Sequence, residues 1–167
     1  MAARTKEELE HIRRECMKMS RKRALMSAAA SILPVPFTNT ATDIMVLRDI
    51  IPKIAQKFGL AKEQIDGYDR QLSIIIYEVA REVGSKIIGR YLTKDLIIHL
   101  LQNMGIKRLT VKQVSRYMPL IGQVVSAGVS YGGMMLVIRH HINECHKVAR
   151  MVTDRTNHQE KRLQGKR

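Results

Sequence analysis

Apolar residues in this chain recur at intervals of three and four, and nowhere do they alternate with polar residues over the length of a strand. That spacing lines one face of a helix and cannot line one face of a sheet. The one Asp-Gly pair, Asp66-Gly67, does not separate two alternating runs, so it does not mark a hairpin. The fold class is therefore all-α. At 167 residues the chain is long enough to bury a hydrophobic core without a disulfide or a metal.

Local punctuation predicts six to seven helices in a single domain over residues 1–153. Thr5 with Glu8 forms a capping box for a helix that stops before Pro34 and Pro36. Thr38 or Asn39 caps a second helix that turns Ile44, Leu47, Ile51, Ile54 and Phe58 inward and ends at Gly59. Pro52 should kink or break it. A turn of helix near Glu63 precedes a longer one over 69–84, with Leu72, Ile75, Ile76 and Val79 inside. Thr93 caps a helix ending near Gly105, and Thr110 with Gln113 opens a short helix that stops before Pro119. Pro119 suits the first turn of a last helix running to about Thr153. Residues 154–167 form a basic polar tail, expected to be disordered.

Charge narrows the partners. There are 29 Lys and Arg against 15 Asp and Glu, a net +14, which favours an anionic lipid surface, nucleic acid or an acidic protein. Excess cations gather in residues 1–23, 86–116 and 139–167, whereas 24–38 and 117–138 carry no charge at all. Aromatic residues make up 4% with no Trp, which argues against the base-stacking surfaces of single-strand binders.

The stretch from Pro119 to Ile138 is twenty uncharged residues, about the length that spans a bilayer. Its Gln, Ser and Gly content makes insertion marginal. The favoured expectation is a central helix buried on all sides, with Gly122, Ser126, Gly128 and Gly132 letting neighbours approach closely; membrane insertion of 119–138 is the lesser one. Before it, Ile87, Ile88, Leu92, Leu96, Ile97, Leu100 and Leu101 are interspersed with or followed by Lys86, Arg90, Lys94, Lys107, Arg108, Lys112 and Arg116. Those seven cations are the candidate membrane-binding residues, since basic amphipathic segments lie on anionic bilayers; a solvated face over an ordinary core is the commoner reading of such a segment.

Candidate chemistry is sparse. No Gly-x4-Gly-Lys-Ser/Thr loop occurs. His141 and Cys145 share a helical face at i and i+4 as metal ligands can, but one helix supplies only two ligands and a structural role is expected. Glu78 and Glu82 read as solvent-facing neighbours. The expectation is a protein with no catalytic residue, no metal and no cofactor. Cys16 and Cys145 show no paired spacing and are expected to be free thiols. The amino terminus is too charged for a secretory signal and has Ala2 where myristoylation needs glycine, which points to a cytoplasmic protein held peripherally at a membrane.

Four blocks carry a resemblance. They are Ser27-Ala-Ala-Ala-Ser-Ile-Leu-Pro-Val-Pro-Phe leading into Thr42-Asp43-Ile-Met-Val-Leu; Lys57-Phe58-Gly59-Leu60; Lys94-Asp95-Leu96-Ile97 with Leu100-Leu101; and Met118-Pro119-Leu120-Ile121-Gly122 followed by Ala127-Gly128-Val129-Ser130-Tyr131-Gly132. In order and spacing they resemble the C-terminal helical domain of the immunity-related (interferon-inducible) GTPases and, more distantly, the EcsC-like helical domains of bacteria. The resemblance implies a helical fold, membrane proximity and self-assembly or a protein partner. The family's GTPase domain is not in this sequence, so no nucleotide-binding residue is carried over. The functional expectation is a non-enzymatic module contacting an anionic membrane surface or a protein partner, as an accessory to a separate GTPase or in a defence or toxin system. Nucleic-acid binding through the basic surface is the alternative.

Overall fold

A computed structural model describes residues 4–30, 38–91, 93, 96 and 119–164, with the backbone alone in 27–30, 38–44, 119–130, 160 and 163. Among the described residues all regular structure is helical: α1 (Lys6–Ala30), α2 (Thr38–Phe58), α3 (Lys62–Asp66), α4 (Arg70–Val83) and α5 (Pro119–Gln164). The helices expected over 93–105 and 110–118 lie outside these residues except at Thr93, whose Oγ1 accepts a hydrogen bond from the Leu96 N–H at 3.2 Å, as a cap should.

The helix ends follow their local chemistry. At the start of α1 the Thr5 N–H donates to Glu8 Oε2 (2.8 Å) while the Glu8 N–H donates to Thr5 Oγ1 (3.2 Å), the reciprocal capping box. Asp69 Oδ1 accepts from the Leu72 N–H at 2.9 Å and opens α4. Both α2 and α4 close on a glycine in the left-handed region, Gly59 at φ 75° and Gly84 at φ 81°. In each the following N–H reaches back five residues, Leu60 to the Ala55 carbonyl and Ser85 to that of Ala80, which completes a Schellman motif. Pro52 does not break α2: it sits on the exposed side, where water can satisfy the carbonyl its ring leaves without a partner.

The chain gathers into two compact units. In the first, residues 1–17, 52–91 and 140–167, α1 and α5 run antiparallel, with His146 Nε2 3.0 Å from Glu10 Oε1 and the Arg13 guanidinium donating to Asn143 Oδ1 at 3.1 Å. The end of α2 meets α1 through Lys57 Nζ and Glu15 (3.0 Å), and Phe58 stands edge-on to the His146 ring. Antiparallel α4 joins α5 through Gln71 with Gln159 (3.1 Å) and through Arg155 with Glu78 and Glu82. Leu9, Cys16, Ile54, Phe58, Ile76, Val79, Ile142, Cys145 and Ala149 form its buried interior. The second unit, residues 18–51 and 92–139, buries Ala24, Leu47, Ile50, Met134, Met135 and Ile138, and an Arg23–Asp49 ion pair joins α1 to α2.

Three expectations for the last helix need correction. It does not end near Thr153 with a disordered tail; it continues to Gln164, because Arg155 and Gln159 find partners on α4 and the Thr153 and Thr156 hydroxyls bond back to the helix carbonyls. Its uncharged stretch 119–138 is not buried on all sides: among the side chains described there Gly132 and Leu136 are exposed, opposite buried Met134, Met135, Val137 and Ile138. Gly132 is exposed and a Cβ there would meet nothing within 4 Å, so it does not mark a close helix contact. Gly122, Ser126 and Gly128 lie outside the side chains described.

His141 and Cys145 do meet on the inner face of α5, with Sγ 3.5 Å from Nε2 and both side chains fully buried. Among the described residues no group of three or more candidate ligands could hold a metal. Burial pushes the Cys16 thiol up to about 11 and holds that of Cys145 well above its ordinary value. Both are thus neutral and shielded, whereas the thiolate is the reactive form. A disulfide-exchange reagent at neutral pH should leave both thiols unmodified on the time scale in which it titrates two per chain in denaturant; rapid native labelling of either would show that this interior opens.

Candidate functional site

The most distinctive surface among the described residues is built by α3, α4 and the loop that follows Gly84. The run Ile74-Ile75-Ile76 cannot all face inward on a helix. Ile75 and Ile76 are buried, so Ile74 is turned out and is 47% exposed. One turn later Tyr77 is 39% exposed, and Arg70 and Arg81 complete the outer stripe at i, i+4, i+7 and i+11.

The loop is fastened from inside. Ser85 Oγ donates to Glu144 Oε2 on α5 at 3.1 Å and lies 3.4 Å from the N–H groups of Ile87 and Ile88. Glu144, its side chain only 11% exposed, also lies 3.1 Å from His140 Nε2. Ile87 and Ile88 then turn into the interior, and a tight turn closes as the Arg90 N–H donates to the Ile87 carbonyl at 3.1 Å. These two isoleucines thus pack into the core, as a solvated basic face over an ordinary interior requires, although residues 85–91 form a loop and not a helix. They are the anchor, and Lys86 and Arg90 are left exposed.

Gly89 makes the arrangement possible. It holds φ 73°, and a Cβ built there would fall 2.4 Å from Tyr77 Cε1, so the tyrosine ring lies directly on the glycine backbone. Tyr91, 63% exposed, stands beside it with Lys62 Nζ 5.9 Å from its ring centroid, within cation–π range. Lys62 is also bonded to Asp66, and that carboxylate holds its ammonium above the ordinary lysine value. Lys86 and Arg90 have no acidic partner among the described residues.

Two of the seven cations expected to bind a membrane, Lys86 and Arg90, are therefore exposed in the loop whose Gly89 lies under Tyr77 and whose Tyr91 is exposed, with Ile74 one helical turn from Tyr77. Lys94, Lys107, Arg108, Lys112 and Arg116 lie outside the described residues. The apolar members of the patch escaped notice in the sequence, although three consecutive isoleucines on a helix carry the signal that one must face out. Among the described residues no helix is long and apolar enough to cross a membrane, and the second half of the uncharged stretch turns Met134, Met135, Val137 and Ile138 into protein.

No protein-family model, curated protein or solved structure matches the chain.

The Tyr77–Gly89 contact should dominate the stability of this loop. Gly89→Ala combines the left-handed backbone penalty with an overlap, and should destabilise the fold by about 2–4 kcal/mol. Gly84→Ala has an open surrounding and should cost about 1 kcal/mol. Denaturant unfolding of the two variants measures the difference; equal losses would mean that the Tyr77 ring swings clear.

Proposed function

We propose that the chain is a non-enzymatic helical module that docks peripherally on anionic membrane surfaces. The patch of Ile74, Tyr77 and Tyr91 beside Lys86 and Arg90 carries this reading. Tyrosine favours the membrane–water interface, where its ring is apolar and its hydroxyl is wet. A cation close to an anionic leaflet contributes about 1 kcal/mol. Lys86, Arg90 and Tyr91 belong to one short loop on which Tyr77 rests, and that loop directs its own isoleucines inward, so docking requires no unfolding. The resemblance to the helical domains of immunity-related GTPases and EcsC-like proteins supports the same reading. In those terms the module has six to seven helices, is cytoplasmic, and works beside a separate GTPase, another protein partner or a second copy in a defence or toxin setting.

Co-flotation with phosphatidylcholine vesicles, with and without phosphatidylserine, tests it. The protein should float with the anionic vesicles at low salt and release as salt rises. Lys86→Glu with Arg90→Glu should weaken binding at least about thirtyfold, two lost cations at about 1 kcal/mol each, while circular dichroism stays unchanged. Absence of flotation at low salt, with a salt-sensitive complex on duplex DNA instead, would replace this reading by nucleic-acid binding.

A further inference from the structure

The outer face of α1 changes character along its length. Glu7, Glu8, His11, Arg14 and Glu15 are exposed near its start, a mixture of both signs. Beyond Glu15 the helix has no acidic residue, and its exposed positions become Lys18, Arg21 and Lys22, which have no acidic partner among the described residues. One turn further they become Leu25 and Met26, 57% and 65% exposed. The spacing 18, 21, 22, 25, 26 is one continuous stripe, opposite buried Ser20 and Ala24.

The neighbouring helix α2 also exposes an apolar side chain in its first half. Arg23 is ion-paired with Asp49 in the second unit. Three residues on from Arg23 along α1, and four back from Asp49 along α2, come Met26 and Met45. Since Glu15 meets Lys57 and Arg23 meets Asp49, the two helices run antiparallel, and Met26 and Met45 stand at nearly the same height, given about 1.5 Å of rise per residue. Met45 is 71% exposed. Singly exposed apolar residues are ordinary. Three at one end of a helix pair, with no charged residue in the sequence between Arg23 and Asp43 and three cations one turn behind them, form an ordered gradient from apolar to positive.

We infer that Leu25, Met26 and Met45 are a wedge that enters the acyl boundary of an anionic bilayer, with Lys18, Arg21 and Lys22 as the collar that stays at the phosphates. The inference rests on the membrane reading above and adds an insertion depth to it. Charge complementarity selects the occupant: a flat phosphate layer over hydrocarbon matches cations set one turn behind apolar side chains, whereas a second copy of this chain would bring the same cations against themselves.

The test uses the full chain with Met26→Cys, labelled by an environment-sensitive fluorophore. Both native thiols are buried, so the label goes to position 26. Met45→Cys serves as a second reporter. On vesicles of phosphatidylcholine with phosphatidylserine, the emission should shift to the blue and be quenched by lipids brominated along the chain. Leu25→Ser with Met26→Ser should weaken vesicle binding by about tenfold or more, from the lost apolar burial, with the melting temperature unchanged or raised. Flotation of the protein with the label still in water overturns the wedge and leaves peripheral docking intact. Failure of the unmodified chain to bind any vesicle overturns both. A blue shift without vesicles also overturns the wedge, assigning the site to a second copy if it depends on protein concentration and to another part of the chain if it does not.

Discussion

The first unit depends on the burial of a single stripe along α5: His141, Ile142, Cys145, Val148 and Ala149, all without measurable exposure. Cys145 and Ala149 are small and one turn apart, and α1 answers with Cys16, close enough for the two thiols to affect each other electrostatically. Small side chains on both helices let the backbones approach, and the larger Ile142, Phe58 and Ile54 fill the flanks. Removing a buried isoleucine or phenylalanine of this kind costs about 2–5 kcal/mol. The ion pairs around it, Lys57–Glu15, Arg13–Glu10 and Arg155–Glu78, are all 40% exposed or more on each side and contribute at most about 1 kcal/mol each. Packing supplies the stability, and the two pairs between helices, Lys57–Glu15 and Arg155–Glu78, help fix which helix end meets which.

The exposed patch is a consequence of that stripe. Glu144 lies between His141 and Cys145 in sequence, and its carboxylate is the group that receives Ser85. A carboxylate this enclosed needs hydrogen-bond donors, and the serine that opens the 85–91 loop is one of them. Once Ser85 is held, Ile87 and Ile88 drop into the interior and Gly89 is carried beneath Tyr77. The position of Lys86 and Arg90 on the surface is thus set from the core outward.

Much of this was legible in sequence because it is local. The Thr5–Glu8 box, the Asp69 cap, the glycines that end α2 and α4, the proline that opens α5 and the inward faces of α2 and α4 are all specified within a few residues. What could not be read depended on partners far along the chain. The polar stretch after Thr153 lacks an apolar stripe, yet α4 supplies Glu78, Glu82 and Gln71 to hold it helical. Ile87 and Ile88 look amphipathic beside their cations, and the hydrogen bond from Ser85 to the distant Glu144 is what anchors the loop from which they turn inward. Leu9, Ser20 and Ala24 were missed as core because the cations along α1 dominate its composition.

The same separation accounts for where positive charge stays available. Several acidic side chains are committed to pairs inside the units: Glu15 with Lys57, which holds that carboxyl below its ordinary value, Asp66 with Lys62, Asp49 with Arg23, and Glu78 and Glu82 with Arg155. Each pair silences one cation, with Glu78 and Glu82 sharing Arg155. Lys86 and Arg90 stand beside exposed tyrosines with no acid among the described residues to meet them, and Lys18, Arg21 and Lys22 stand beside Leu25 and Met26 in the same condition. These cations adjoin the largest exposed apolar side chains of α1 and of the α4 loop, and the proposed docking rests on that adjacency more than on the total of +14.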